Sequence, residues 1–208
     1  MAPTFVMHEI PRASEGARFV GGFWGRRCMR LTIRFGLSAI FTALAVASPV
    51  YAVTIQLPSG SFGSLIQFDV PNCGAVACGP TAAVNSLVFL ENQYPTIYDR
   101  SLVPDVNGNG KRDYSEMVAT AATLSGPQYM NTTFPSGTFS DKFISGTAAW
   151  VESQAPSRSV YTAGSPTVST LAAELANVKA SNSLIGFYND QGVRTGGHYI
   201  TLTGISWA

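Results

Sequence analysis

The chain is poor in charged side chains, in histidine and in cysteine. Only 12% of its 208 residues are charged, and it holds two histidines and three cysteines. This composition suggests one globular domain with unusually few charges for its size. No internal repeat and no long low-complexity tract is evident, so the sequence does not predict a repeat architecture.

Residues 29–52 have the pattern of a secretory signal peptide. Arg30 and Arg34 form its positive end, residues 35–46 form its apolar core, and Val-Tyr-Ala52 is a small-residue cleavage site. This order of charge, apolar run and small residues is typical of exported proteins. We predict cleavage after Ala52 and a protein that is secreted or held in the cell envelope.

On this interpretation residues 1–28 are an upstream extension, and residues 53–208 form the mature domain. Two alternatives stay open. The first is an uncleaved membrane anchor, although Ser48 and Pro49 interrupt the apolar run before the ~20 residues that a bilayer needs. The second is a twin-arginine signal at Arg26-Arg27, for which the arginine pair alone is weak support.

The predicted mature domain lacks the features of a nucleic-acid or membrane-surface protein. It keeps seven basic and ten acidic side chains, hence a net charge of −3, and it has no basic cluster. This argues against nucleic acid and against an anionic membrane as partners. Its remaining Cys73, Cys78 and His198 supply a tetrahedral zinc site poorly. The sequence leaves the oligomeric state open.

The stretch from Cys73 to Leu90 places a thiol at the start of a helix that is apolar on almost every side. Asn85 and Ser86 are the only polar residues in its middle, so we expect this helix in the core. Pro80 fits only near a helix start, where its missing N–H costs nothing. Cys78 therefore lies at or just before the N-terminus, where unpaired N–H groups and the helix dipole favour a thiolate.

His198 is the only histidine of the predicted mature domain, and it follows two glycines that let another backbone approach. It begins a strand in which His198, Ile200 and Leu202 share one face. We expect this face to point inward and to bring the imidazole to the start of the Cys78 helix. There it would act as the base for the thiol.

Two motifs, Cys78-Gly-Pro-Thr-Ala-Ala and Gly-Gly-His198-Tyr-Ile-Thr-Leu-Thr-Gly, resemble those of papain-like cysteine peptidases of the bacteriocin-leader (double-glycine) peptidase-like group. The resemblance spans roughly residues 67–208. It implies an α+β papain-like fold, in which a central helix beginning at Cys78 packs on an antiparallel sheet that contains His198. It also implies hydrolysis of peptide bonds in a peptide or protein substrate, with His198 as base and Cys78 as nucleophile.

The family pattern also implies a glutamine whose amide, together with the Cys78 N–H, holds the oxyanion. Asn72 stands near the expected place and has a shorter side chain. Gln67 has the expected side chain but lies eleven residues before Cys78. Both residues stay candidates.

The same pattern implies an Asp or Asn beyond the His-bearing strand, which would orient the imidazole. Asn189 and Asp190 precede His198 and do not occupy that place, so neither is assigned. Because the sequence ends at Ala208 in an apparent strand, we expect the domain to be truncated at its C-terminus. A shifted orienting residue and an inactive site are the alternatives.

Residues 105–116 match the twelve-residue calcium loop. Oxygen-bearing groups stand at positions 1, 3, 5, 7, 9 and 12, and Gly110 falls at the sharp turn. The predicted ligands are Asp105, Asn107, Asn109, the Lys111 carbonyl, Asp113 and Glu116. Leu-Val-Pro104 cannot be an incoming helix, whereas an outgoing helix at 114–124 is plausible. The loop therefore resembles the single-helix calcium loops of extracellular modules, and its calcium would be structural.

The sequence leaves open other functions and the redox state of Cys73 and Cys78. The chain could be a non-catalytic, calcium-stabilised extracellular binding or surface protein, or a cysteine-dependent transferase or amidase on the same fold. A Cys73–Cys78 disulfide would block the nucleophile in an exported protein, but we expect a free Cys78, because an active site must leave its sulfur exposed. We expect Trp150, Phe139 and Phe143 to anchor loops.

Overall fold

The computed structural model describes residues 4–10, 53–99, 101–110, 112–156, 160–164 and 167–207. These residues belong to one compact unit, which comprises residues 1–12 and 52–208. The predicted signal peptide at 29–52 and the Lys111 carbonyl lie outside the described residues. In the described ranges, no helix is both long enough and apolar enough to cross a membrane.

Helices and small sheets alternate irregularly along the chain, which confirms the predicted α+β class. The helices are α1 (Cys78–Gln93), α2 (Pro95–Tyr98), α3 (Tyr114–Ser125), α4 (Ser140–Gln154) and α5 (Val168–Ala176). The strands are β1 (Thr4–Ile10), β2 (Val53–Gln56), β3 (Val160–Gly164), β4 (Ala180–Tyr188), β5 (Arg194–Leu202) and β6 (Gly204–Trp207). Three short 3-10 turns precede α1: Ser59–Ser61, Gln67–Asp69 and Gly74–Val76.

Four strands form a mixed sheet in the order β3-β1-β4-β5. The pair β4–β5 is antiparallel, as predicted for the strand that carries His198, and His198 lies opposite Ile185. β1 is parallel to both of its neighbours, β3 and β4. It comes from the segment predicted to be an upstream extension. A second, antiparallel pair joins β2 to β6.

α1 lies in the core, as its apolar sequence predicted. Ala83, Val84, Leu87, Phe89 and Leu90 have no exposed surface. Burying a side chain of the size of leucine or phenylalanine contributes about 1.5–3 kcal/mol, so these positions dominate the stability of the helix.

The two polar residues in the middle of α1 attach neighbouring segments to it. Asn85 accepts a hydrogen bond from the backbone N–H of Leu65 (2.9 Å) and donates to the Leu65 carbonyl (3.3 Å). Ser86 donates to the Asn182 side chain in β4 (2.8 Å). α1 is therefore connected by hydrogen bonds both to the segment before it and to the sheet.

α4 begins at Ser140 and continues to Gln154. Its buried face consists of Phe143, Thr147, Trp150 and Val151, which recur at helical spacing. Gly146 lies within this face against the backbone at Tyr129. The glycine, serine and threonine residues of α4 have low intrinsic helix propensity, which this packing overrides.

Candidate functional site

Cys78 is the first residue of α1, as predicted, and its free thiol is half-buried. Ala77 stands at the N-cap position and offers no side-chain hydrogen bond to the helix. The first helical hydrogen bond runs from the Thr81 N–H to the Ala77 carbonyl (3.0 Å). An N-terminus without a side-chain cap leaves backbone N–H groups for an incoming oxygen.

Gly79 allows a neighbouring loop to close on this helix start. A Cβ at Gly79 would lie only 2.7 Å from the Thr138 hydroxyl oxygen and 3.3 Å from the Phe143 ring. The loop is closed by a hydrogen bond of 2.6 Å between the Thr132 and Thr138 hydroxyls. Because Gly79 directly follows Cys78 and has no side chain, this loop packs beside the thiol.

The inward face of β5 is offset by one residue from the prediction. Tyr199 is 3% exposed, and its ring stacks on Phe143 of α4 with centroids 4.4 Å apart. Thr201 donates a hydrogen bond of 3.0 Å to the backbone of α1. The row that begins at His198 is only half-buried, so the prediction that it forms the inward row is wrong.

His198 and Cys78 nevertheless line the same two cavities. The first cavity, about 420 Å³, runs along α1 and β5. The second, about 740 Å³, lies between the start of β5 and the loop at 135–140. Gln67 and Tyr199 also line both cavities. A residue with a thiol, one with an imidazole and one with a side-chain amide therefore line the same pair of cavities.

Of the two candidate oxyanion residues, the structure brings Gln67 and not Asn72 to the cavities. Gln67 begins the 3-10 turn Gln67–Asp69 and is half-buried. Asn72 is exposed, has a left-handed backbone φ of 66°, and lines neither cavity. The geometry therefore favours Gln67 as the partner of the Cys78 N–H.

The candidate nucleophile and base line the same cavities but share no direct hydrogen bond. Within the described ranges, neither the Cys78 thiol nor the His198 imidazole has a side-chain hydrogen-bond partner. Asn189 caps the turn between β4 and β5 instead, because its side chain accepts from the Gln191 and Val193 N–H groups. This agrees with leaving Asn189 out of the catalytic set.

The calcium-like loop curls as its sequence predicted. Gly110 has a backbone φ of 71°, which glycine adopts without strain. Its N–H donates to the Asp105 carboxylate (2.8 Å), and the Asn109 N–H donates to the Asn107 side chain (3.0 Å). Asp113 accepts from the amide groups of Asn107 (2.9 Å) and Asn109 (2.7 Å). Four predicted ligand residues, Asn107, Asn109, Asp113 and Glu116, thus belong to one hydrogen-bonded cluster, and Asp105 is bonded to Gly110.

Glu116 provides the test of whether these residues fit a cation. Its carboxylate is 1% exposed, and Oε2 accepts from the Asp113 N–H (3.1 Å). Oε1 is buried and has no hydrogen-bond partner among the residues that the structure describes. Such an oxygen is costly unless a donor or a cation meets it. The donor set therefore fits a hard cation, with amide oxygens supplementing the carboxylates.

The carboxylates of residues 105–116 alone would not form a calcium site. In the described part of the chain, no group of three or more His, Cys, Asp or Glu side chains could hold a metal ion. Calcium would require Asn107, Asn109 and the Lys111 carbonyl in addition to the carboxylates. It would also compete with the amide N–H groups that now bind Asp113.

Arg112 joins the loop to the far end of α1. Its guanidinium lies 2.9 Å (Nε) and 2.6 Å (Nη2) from Oε2 of Glu91, which is 2% exposed. Oε1 of Glu91 accepts from the Val103 N–H (3.0 Å). Burial raises the pKa of Glu91, and the Val103 N–H and the Arg112 charge partly oppose this.

Tyr114 joins the other side of the loop to the turn that carries Gln67. Its hydroxyl donates to the Asp69 carboxylate (2.5 Å) and accepts from the Ile66 N–H (3.1 Å). The bond to Asp69 raises the pKa of the Tyr114 hydroxyl. No sequence pattern predicted a role for Arg112 or Tyr114. The only local signal was their position within the calcium pattern at 105–116.

The cysteines and aromatic residues differ in their roles. Cys73 is free, 8% exposed, and outside both cavities.

Trp150 and Phe143 are buried and anchor their surroundings, as predicted; Trp150 donates to the Leu102 carbonyl (2.9 Å). Phe139 is 61% exposed and lines the larger cavity, so the prediction that it anchors a loop is wrong.

No protein-family model, no curated protein and no solved structure matches this chain. The functional assignment therefore depends on the geometry of the site and on the two motifs.

Proposed function

We propose that this chain is an exported cysteine peptidase of the papain-like type, which hydrolyses peptide bonds through Cys78 and His198 and binds a structural calcium ion at residues 105–116. The observation that carries the proposal is the convergence of three groups on two adjoining cavities. These groups are a free thiol at a helix N-terminus without a side-chain cap, the His198 imidazole and the Gln67 amide.

The proposed reaction is acyl transfer to water. His198 takes the thiol proton, and the Cys78 sulfur attacks the peptide carbonyl carbon while the carbonyl oxygen becomes an oxyanion. The Cys78 N–H and the Gln67 amide donate to that oxyanion. Its collapse breaks the C–N bond, and His198 protonates the leaving amine. Water, deprotonated by His198, then cleaves the thioester and restores the thiol.

This reaction requires a proton-transfer contact between Cys78 and His198, which share no hydrogen bond here. Proton transfer needs a distance of roughly 2.6–3.2 Å or one bridging water, and catalytic hydrogen bonds often tighten only when substrate binds. The two cavities would hold the substrate on either side of the thiol. The exposed Phe139 at the larger cavity would contact one side of the peptide.

An electrophilic peptide probe tests the nucleophile. It should label Cys78 at neutral pH faster than it labels a free cysteine peptide, and Cys78→Ala should abolish labelling and hydrolysis. His198→Ala should slow labelling while the melting temperature stays unchanged. Cys73→Ala is the matched control and should label like the wild type.

A labelling rate no faster than that of the free peptide, and unaffected by His198→Ala, would overturn the peptidase proposal. The lack of a hydrogen bond between Cys78 and His198 supports a second candidate for that case: a calcium-stabilised extracellular binding or surface protein. This candidate retains the calcium site and requires no base near Cys78.

The proposed calcium ion takes no part in the chemical steps. It would neutralise the carboxylates of Asp105, Asp113 and Glu116 and tie the loop to the start of α3. Glu116→Gln removes the proposed bidentate ligand and should weaken binding at least tenfold in calorimetry. Absence of calcium-dependent heat in the wild type, with a melting temperature insensitive to chelator, would exclude the site.

A further inference from the structure

We propose that Tyr114 is a positioning residue that links the calcium loop to Gln67, so that calcium binding improves stabilisation of the oxyanion. This inference rests on the proposed peptidase and calcium functions. It adds a physical connection between the two sites.

The Tyr114 hydroxyl holds both ends of the turn that carries Gln67. It accepts from the N–H of Ile66, the residue directly before Gln67, at 3.1 Å. It donates to the carboxylate of Asp69, the last residue of the turn, at 2.5 Å. A single hydroxyl group thus connects the start of α3 to the residues that flank the oxyanion candidate.

Within this turn hydrogen bonds replace apolar burial, which acts only at the flanking residues Leu65 (5% exposed) and Val70 (2% exposed). Ile66 is 57% exposed and Phe68 is 72% exposed, so neither side chain anchors the segment in the core. On the side of α1, Asn85 holds the preceding Leu65 through two hydrogen bonds. Without the Tyr114 hydroxyl, the turn would keep the attachment at Leu65 and lose the described side-chain contacts at Ile66 and Asp69.

The calcium loop determines where Tyr114 lies. Asp113 is the N-cap of α3 and Glu116 is its third residue, and the two form a reciprocal capping box around Tyr114. Both are predicted calcium ligands, and Glu116 has a buried oxygen without a hydrogen-bond partner among the described residues. A cation held by these two carboxylates would fix the first turn of α3, and the Tyr114 ring with it.

Two probes separate oxyanion stabilisation from thiol reactivity. A peptide aldehyde adds the Cys78 sulfur to its carbonyl carbon, and the resulting hemithioacetal oxygen uses the oxyanion donors. Iodoacetamide alkylates the thiolate with loss of iodide and forms no oxyanion. In the wild type, chelating calcium should weaken aldehyde affinity about tenfold and leave the iodoacetamide rate unchanged, since one displaced oxyanion donor costs at least this much.

Tyr114→Phe removes only the hydroxyl. It should weaken aldehyde affinity about tenfold in the presence of calcium and remove the further effect of chelator. Its calcium affinity in calorimetry and its iodoacetamide rate should match the wild type. Asp69→Asn should also weaken aldehyde affinity, and it leaves the Tyr114 ring unchanged. Tyr94→Phe is the matched control, because it removes a hydroxyl bond to the Val178 carbonyl (3.0 Å) away from the Gln67 turn.

Several outcomes would overturn the proposed coupling. They can be distinguished from outcomes that overturn the calcium site or the peptidase proposal. A Tyr114→Phe variant that keeps the full calcium effect on aldehyde affinity would refute the link through Tyr114. Calcium heat without any calcium effect on the wild-type aldehyde affinity would refute coupling but keep the calcium site. No calcium heat would refute the calcium site and the coupling together. No reaction of Cys78 with the aldehyde would refute the peptidase proposal and the coupling.

Discussion

Replacing Arg112 by Ala should destabilise the domain by about 3–5 kcal/mol, because the variant leaves the buried Glu91 carboxylate without its cation. The Glu91 side chain is 1% exposed, and Nη2 of Arg112 lies 2.6 Å from its Oε2. The Arg112 side chain is 16% exposed, so water reaches the arginine more easily than the carboxylate.

The magnitude follows from what the carboxylate loses. The hydrogen bond from Nε and the ion-pair contact with Nη2 both disappear at Oε2, and a hydrogen bond to a charged partner contributes about 1.5–3 kcal/mol. Oε1 keeps the Val103 N–H, so the carboxylate is not wholly stripped of donors. For a domain of this size, each kcal/mol lowers the melting temperature by about 2–4 °C, so we expect a drop of roughly 6–20 °C.

The loss of stability caused by Arg112→Ala should be smaller at low pH than at high pH. Burial raises the pKa of Glu91, and Arg112 partly opposes that increase, so Arg112→Ala should raise the pKa further. A carboxyl group with a raised pKa in the folded state contributes most to stability below its pKa in the unfolded chain. This contribution is lost as the pH rises through the folded-state pKa. The deficit of the variant should therefore be smaller at pH 5 than at pH 8.

Urea unfolding at both pH values, in saturating calcium, measures the free energies. Glu91→Gln and the double variant complete a double-mutant cycle, in which the double variant should cost less than the sum of the single variants. Lys142→Ala, at an exposed position of α4, is the control and should change stability by less than about 0.5 kcal/mol. A cost below about 1 kcal/mol for Arg112→Ala at pH 8, or strict additivity, would refute the reasoning.

Three further predictions concern the oxyanion, alkaline stability and export. Gln67→Ala should lower kcat by about 10²-fold while Asn72→Ala leaves it unchanged, which steady-state kinetics checks; the opposite ranking would reassign the donor. Burial raises the pKa of Tyr98 to about 12, so its stabilising contribution is complete below pH 10.0 and is lost as the pH rises through the folded-state value. Tyr98→Phe should therefore reduce the loss of stability between pH 9 and pH 11.5 in urea unfolding, and an unchanged loss would contradict this. N-terminal sequencing of exported protein should begin at Val53, with β1 removed, and an intact Met1 would defeat the cleavage prediction.

Local sequence patterns located much of the candidate site before any tertiary contact was known. Pro80 and the apolar run after it predicted that α1 begins at Cys78, because both signals act within one or two helical turns. The spacing in residues 105–116 predicted the sharp turn at Gly110 and the outgoing helix α3 for the same reason. The α+β class, which the structure confirms, was implied by the resemblance of two motifs to a known family.

The errors arose where a long-range contact decided the outcome. Alternation along β5 predicted two faces, but the face expected to point inward was the wrong one. The stack of Tyr199 on Phe143 of α4 decides which face is buried. The choice between Asn72 and Gln67 depended on which residue a turn brings to the cavities. That turn is held by Asn85 and Tyr114, which are distant in sequence.

By itself, the sequence determined which residues carry chemistry, because thiol, imidazole, amide and carboxylate groups at given spacings are properties of the chain. It also determined where α1 begins and where the loop turns, since proline and glycine act on their own backbone. Only the tertiary structure decided which of these groups meet. Cys78 and His198 are 120 residues apart, and their common cavities depend on side chains that pack α1, α4 and β5 together. Such packing is set by shape and by shared hydrogen bonds among distant segments, which no local pattern encodes.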